Sequence, residues 1–240
     1  MNITVTRGSL KDFDSEVLLV GHFEGNKAPE GAARLLDEGC NGIIGELIDR
    51  GDFEGKLYTS SLMYTRGLIP GKRILIAGLG KKGEFNLERL RGVFSKAAQK
   101  IRELGITQVA ASLDFGETGL AIGDVARAAA EGALLGLYRF TPYKTLEEDK
   151  KGEITECIIA EDRPEFLEDI KQGAQTAEII SRAVYCARDL VSTPSNDMTP
   201  SILADRAGAI ATEAHLTFEA LDEAAMGTLG MNALLGVARG

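Results

Sequence analysis

Val17-Leu18-Leu19-Val20 places four apolar residues in succession and leaves no polar position for a solvent face. A strand of this kind must be covered on both sides, and in parallel or mixed sheets helices supply the cover. The rest of the chain alternates accordingly. Residues 3–6, 16–21, 57–64, 73–77, 108–113 and 153–160 read as strands, with Ile74, Leu75 and Ile76 forming a second apolar run. Between them lie helical patterns. One covers residues 30–50 and is broken or bent near Gly39 and Gly42, with Ile43, Ile44, Leu47 and Ile48 at helical spacing. A second starts at the cap residue Asn86 and runs to about Leu104, carrying Leu90, Val93, Phe94, Ala97 and Ile101 on one stripe. A third spans 120–138 and buries Ile122, Val125, Ala129, Ala133 and Leu137, while Gly132 and Gly136 permit close approach of a neighbour. These alternations predict an α/β domain with a mixed, largely parallel sheet flanked by helices.

The apolar positions Leu167, Ile170, Ala174, Ala177, Ile180, Val184, Ala187 and Val191 then recur every three or four residues. At 1.5 Å per residue this helix spans roughly 40 Å, enough to connect two domains. It runs into Pro194, Ser195, Asn196 and Asp197, which are turn residues. Thr199 then offers a hydroxyl to cap a new helix whose first position is Pro200, where a missing N–H costs nothing.

Composition narrows the function classes. The 27 Lys and Arg against 36 Asp and Glu leave a net charge of −9, which disfavours nucleic acid as a principal partner. No run of 18 apolar residues occurs, and the opening residues lack a basic and an apolar leader region, so a cytoplasmic protein with no membrane association is expected. Cys40, Cys157 and Cys186 are odd in number and lack metal-ligand spacing, which predicts buried free thiols.

Several constellations invite chemistry and have plainer readings. Gly78-Leu79-Gly80-Lys81-Lys82-Gly83 satisfies G-x-G-x-x-G after a strand, the place where backbone amides cradle a pyrophosphate. Glu84, however, puts negative charge where phosphate would sit and occupies the position of a P-loop lysine, so a tight structural turn is the favoured reading. His22 and His215 have no second His or Cys at ligand spacing and are read as structural or exposed. No G-x-S-x-G elbow is present. The charge run at residues 147–151 reads as a solvated loop.

The segment A-R-D-L-V-S-T-P-S-N-D-M-T-P at 187–200 resembles the leucyl aminopeptidase (cytosol aminopeptidase) family, whose pattern A-R-D-L-V-N-T-P-x-N-x-x-T-P marks entry into the catalytic domain; Ser192 departs from the usual Asn. Residues 230–240, beginning Gly230-Met231-Asn232, are similar to that family's G-M-x-x-L-L-G-V-x-x-G. Upstream, Leu75-Ile76-Ala77-Gly78-Leu79-Gly80-Lys81 and residues 131–140 with Tyr143-Lys144 resemble marks of its amino-terminal domain.

The resemblance implies an amino-terminal macro-domain-like α/β domain at 1–162, a connecting helix at 163–191, and the incomplete start of a second α/β, metallopeptidase domain at 192–240. It also implies a cytosolic, hexameric parent enzyme that removes amino-terminal residues from peptides with two divalent ions, zinc, manganese or magnesium. The family's ligand-bearing segments, of the types G-K-G-x-T-F-D-x-G-G and N-T-D-A-E-G-R, do not occur in these 240 residues. No catalytic, cofactor-binding or metal residue is therefore assigned, and the expectation is an inactive structural or assembly unit. The alternative is a macro-like module that binds a nucleotide or ADP-ribose. Leu216, Phe218, Leu221, Leu229, Met231, Leu234, Leu235 and Val237 would lack their usual packing partners, roughly 12 to 24 kcal/mol of potential burial.

Overall fold

The computed structural model describes residues 1–144 and 152–239, so the charge run at 147–151 and Gly240 lie outside it. The chain divides into two compact units, Met1–Tyr185 and Cys186–Gly240.

The first unit is built on a six-stranded sheet. Its strands are β1 (Asn2–Arg7), β2 (Val17–Glu24), β3 (Ser60–Tyr64), β4 (Arg73–Lys81), β5 (Gln108–Ala111) and β6 (Glu156–Glu161). Their spatial order is β1-β6-β5-β2-β4-β3, with every pair parallel except the antiparallel edge pair β3–β4. The apolar runs behave as expected of strands covered on both sides. Leu18, Val20, Ile74 and Ile76 face one core with α1 (Gly31–Gly39) and α2 (Ile43–Asp49). Val17, Leu19, Leu75 and Ala77 face the other, with α3 (Leu87–Glu103), α4 (Ile122–Leu137) and the first part of α5 (Leu167–Ser192).

The break expected near Gly42 divides that helical pattern fully in two. Asn41 and Gly42 both take positive φ, and the Asp37 carboxylate then accepts from the amides of Ile44 at 2.7 Å and Gly45 at 2.9 Å. This caps α2 from the preceding helix. Asn86 caps α3 as its position predicts, accepting from Arg89 N at 3.0 Å. Residues 57–59, expected to begin a strand, are irregular and, with Gly55, hydrogen-bond to the end of β4, so β3 starts at Ser60.

Helices α3 and α4 approach closely where the glycines allow it. A Cβ on Gly132 would lie 2.2 Å from the Arg91 carbonyl oxygen, and one on Gly136 would lie 2.4 Å from Ser95 Oγ. Across this seam the buried Glu131 carboxylate accepts from Arg91 Nε at 2.5 Å. The Tyr185 hydroxyl donates to the Leu134 carbonyl and ties α5 to α4.

The second unit, taken by itself, continues α5 and adds α6 (Pro200–Glu213), α7 (Glu223–Thr228) and α8 (Asn232–Ala238). Thr199 caps α6 with Pro200 at its first position, and Asp222 caps α7. Its described residues contain helices and no strand. No helix among the described residues is long and apolar enough to cross a membrane.

Candidate functional site

Open α/β sheets take ligands outside the carboxyl ends of strands, where successive connections leave over opposite faces. In this unit that place is around β2. The connection after β2 packs α1 and α2 on one face, while those after β4 and β5 pack α3 and α4 on the other. The glycine turn at 78–83 lies beside it.

The backbone donors a phosphate would need there are already engaged. Gly78 N donates to Thr59 O at 2.8 Å and Gly80 N to Gly55 O at 3.0 Å. Both glycines serve close approach rather than ligand access. A Cβ on Gly78 would lie 2.0 Å from Lys56 O, and Gly80 takes φ +72°, a left-handed conformation that glycine adopts without a steric penalty. At the start of α1, Ala32 N donates to Asp114 O at 3.0 Å, so this helix end is also occupied. The reading of 78–83 as a structural turn agrees with this geometry.

Side chains fill the remaining space. Phe23, Phe85, Phe115 and Phe94 stack edge-on in series, with ring centroids 5.1, 6.2 and 6.4 Å apart. Two of the charged side chains around the turn, Lys82 and Glu84, are paired. Lys82 reaches Glu30 at 3.5 Å, and Glu84 binds Arg89 at 2.5 Å, an interaction that holds the Glu84 carboxyl below its ordinary range. A small cavity of about 10 Å³ beside Ser9, Ser112 and Glu161 has room for about one water. A wider cleft of about 490 Å³ opens past β2, but Glu24, Asp49 and Glu54 line it against Lys27 alone, an arrangement that repels phosphate.

The titratable residues singled out from the sequence are dispersed. His22 is buried on β2, its Nε2 3.2 Å from Asn26 O, and burial lowers its pKa despite that bond and the nearby Glu30. His215 is exposed in the other unit. All three cysteines are free, but only Cys40 is fully buried; Cys157 and Cys186 are partly so. Enclosure of its thiol pushes Cys157 up to about 12, and burial with the Asp37 charge raises Cys40, so neither is an ionised nucleophile at neutral pH.

Sequence reasoning missed a different set of charged residues. Glu161, almost fully buried, accepts from Arg163 Nε at 2.7 Å and Nη2 at 2.9 Å, and Glu131 pairs with an arginine 40 positions away. Glu161 and Arg163 are two positions apart, a local pair that the sequence reading passes over, whereas no local spacing announces the other. Glu131 joins α4 to α3, Glu161 ties the end of β6 to the residues that follow it, and neither faces an open cavity large enough for a substrate. Among the described residues no group of three or more His, Cys, Asp or Glu could hold a metal ion.

Comparison with known proteins gives the chain its context. The family model described as "Cytosol aminopeptidase family, N-terminal domain" matches residues 19–147, and that for "Cytosol aminopeptidase family, catalytic domain" matches 185–240. Proteins named probable cytosol aminopeptidase align with the whole chain. Those from Geobacter sp. and Alkaliphilus oremlandii are 33% and 30% identical over 240 residues, and that from Thermosynechococcus vestitus is 34% identical over 246. The chain spans about half the length of these relatives, 48% in each case. A tomato leucine aminopeptidase variant shares the fold with a TM-score of 0.71 at 23% identity, covering 89% of this chain and 42% of its own. The bottromycin maturation enzyme BotP, also solved in complex with Mn, superposes with a TM-score of 0.64 at 22% identity over 85% of this chain and 38% of its own. With more than half of its residues matched by one family model and its final part by the companion model, the chain belongs to the cytosol aminopeptidase family.

Proposed function

We propose that residues 1–162 are the non-catalytic amino-terminal domain of a cytosol aminopeptidase, 163–191 its connecting helix, and 192–240 the opening of its metallopeptidase domain. The complete enzyme removes amino-terminal residues from peptides in the cytoplasm with two divalent ions, zinc, manganese or magnesium, and works as a homo-oligomer, by family resemblance a hexamer. The 240 residues by themselves are a structural and assembly unit without peptidase activity, and the amino-terminal domain shares the macro-domain layout.

One observation carries this reading: the catalytic-domain family model matches only residues 185–240, while the relatives are about twice as long as the chain. The absent ligand-bearing segments support it, since paired metals need closely grouped carboxylate, amine or imidazole donors. The described residues do not fit such a pair of ions. Their contribution is mechanical: a sheet locked by helices on both faces, and a long helix rooted in it through Tyr185.

The test is an aminopeptidase assay on the purified chain, using a leucine amide substrate with added Mn²⁺ or Zn²⁺. No metal-dependent turnover is expected, and robust turnover would overturn the proposal. The ligand-binding alternative predicts a thermal shift with ADP-ribose, whereas the occupied amides at Gly78, Gly80 and Ala32 predict none.

A further inference from the structure

The first unit holds a second open cavity, of about 300 Å³, beside the residue that leads into the amino end of β1 and so at the opposite end of the sheet from the glycine turn. Its wall is made by Met1, by Leu134 of α4 and, from α5, by Glu178, Ser181, Arg182 and Tyr185. The four α5 residues stand three, four and seven positions from the first, so they share one face of the helix. Glu178 is half-buried and Arg182 exposed. Among the described residues no ion pair or hydrogen bond engages the Glu178 carboxylate or the Arg182 guanidinium, although they lie one turn apart.

Ser181 is the unusual member of this wall. It is 2% exposed, and its Oγ has no hydrogen-bond partner. Among the described side chains with an enclosed and unpartnered polar atom, it is the one whose whole residue is buried. A hydroxyl inside a helix commonly satisfies itself on the carbonyl four residues back, as Thr176 does earlier in α5 on Gln172 O at 2.8 Å. Ser181 does not. A buried hydroxyl left unpaired costs stability, and its place in the wall of an open cavity flanked by two unpaired charges calls for a group that enters from outside the chain.

The chemistry of the wall selects that group. A carboxylate and a guanidinium one turn apart match a molecule that carries a cation and an anion close together, and the planar fork of arginine suits a carboxylate. Met1 and Leu134 add apolar surface, as does the ring of Tyr185, whose hydroxyl is committed to the Leu134 carbonyl. A space of about 300 Å³ is at the lower end of the range for ligand pockets, which suits a molecule of amino-acid size. We propose that this cavity binds a free α-amino acid with an apolar side chain. Its ammonium pairs with Glu178, its carboxylate with Arg182, and the Ser181 hydroxyl turns about its single side-chain bond to donate to that carboxylate. The site lies wholly within the first unit and involves no metal and no reacting bond, so it does not depend on the peptidase reading above.

The experiment titrates the purified 240-residue chain with L-leucine by calorimetry, in buffer containing EDTA so that no metal-dependent site contributes. Saturable 1:1 binding is expected. Leucinamide, which lacks the carboxylate, and N-acetylleucine, which lacks the ammonium, should each bind about tenfold more weakly, because each loses a hydrogen bond to a charged group. Arg182→Gln and Glu178→Gln should weaken leucine by a similar factor while leaving the circular dichroism unchanged. Ser181→Ala should weaken leucine and leave the Tm of the free chain unchanged or raised, because it deletes a hydroxyl that has no partner there; a serine with a purely structural role would lower it. No heat and no thermal shift at tens of millimolar leucine, equal affinity for leucinamide, binding indifferent to both charge variants, or a lowered Tm for Ser181→Ala with leucine affinity intact would each overturn the proposal. Peptide turnover on adding metal would instead overturn the proposed inactivity, so the two failures are distinguishable.

Discussion

Replacing Gly132 with alanine tests the seam on which the first unit depends. In a helix interior, glycine to alanine ordinarily stabilises by about 1 kcal/mol, since alanine loses less backbone freedom on folding. Here the added methyl would lie 2.2 Å from the Arg91 carbonyl oxygen and 2.9 Å from the Arg91 carbonyl carbon and Cα. That is roughly 1 Å inside ordinary contact, and the obstacle is backbone, which cannot rotate away. Helices α3 and α4 must separate, loosening the Arg91–Glu131 pair and the contact of Gly136 with Ser95. Overpacking costs about 1–3 kcal/mol, and against a rigid backbone the upper part of that range applies, so a net loss of roughly 2 kcal/mol is expected after the propensity gain. For a unit of this size that lowers Tm by about 4–8 °C. Thermal and urea denaturation followed by circular dichroism measure it, with Gly45→Ala as control. The nearest atom to a Cβ at Gly45 is Asp37 Oδ2, 3.3 Å away, a side-chain contact that needs a shift of only a few tenths of an ångström, so a much smaller effect is expected there. A Gly132→Ala protein as stable as the parent or more so would refute the argument that close helix approach sets this position.

Three further outcomes follow from the polar contacts. Asp37→Ala removes the acceptor for two amides at the start of α2 and should cost about 1–2 kcal/mol, with faster amide exchange at Ile44 and Gly45. The Glu161 carboxyl is opposed by burial but held below 4.5 by its bonds and charge pairing with Arg163. Its contribution is therefore complete above pH 4.5 and lost as pH falls through the lower folded value; Glu161→Gln should reduce neutral-pH stability and flatten the acid limb of the stability profile. Burial lowers the pKa of His22 below 6.5, so the folded state resists the proton that the unfolded chain accepts. Stability should be full above pH 6.5 and decline as pH falls below it, and His22→Gln should remove that slope in denaturation curves taken across this range.

Features set by neighbours in sequence were legible in advance. The stripe of Leu90, Val93, Phe94, Ala97 and Ile101 buries together because helical residues three and four apart share a face. Asn86 and Thr199 cap their helices because a cap needs only an oxygen two or three residues ahead of the amide it serves. The small residues at 132 and 136 announced a close helix neighbour, and the family motifs announced the match, since both are short patterns of residue identity.

Tertiary structure alone decided the rest. The order β1-β6-β5-β2-β4-β3 pairs Asn2 with Glu156, and nothing in either segment names its partner. Glu84 already favoured a structural turn at 78–83 over a phosphate cradle, but only the structure shows what the turn serves, with residues 55–59 lying against it and taking the amides of Gly78 and Gly80. The Arg91–Glu131 pair joins residues 40 positions apart and emerges only when folding brings α3 and α4 together and buries the carboxylate, which Arg127 also approaches at 3.9 Å. Local periodicity and capping chemistry fix which segments are helix or strand; which faces meet, and which polar groups are consumed in meeting, depends on contacts between residues far apart in the chain.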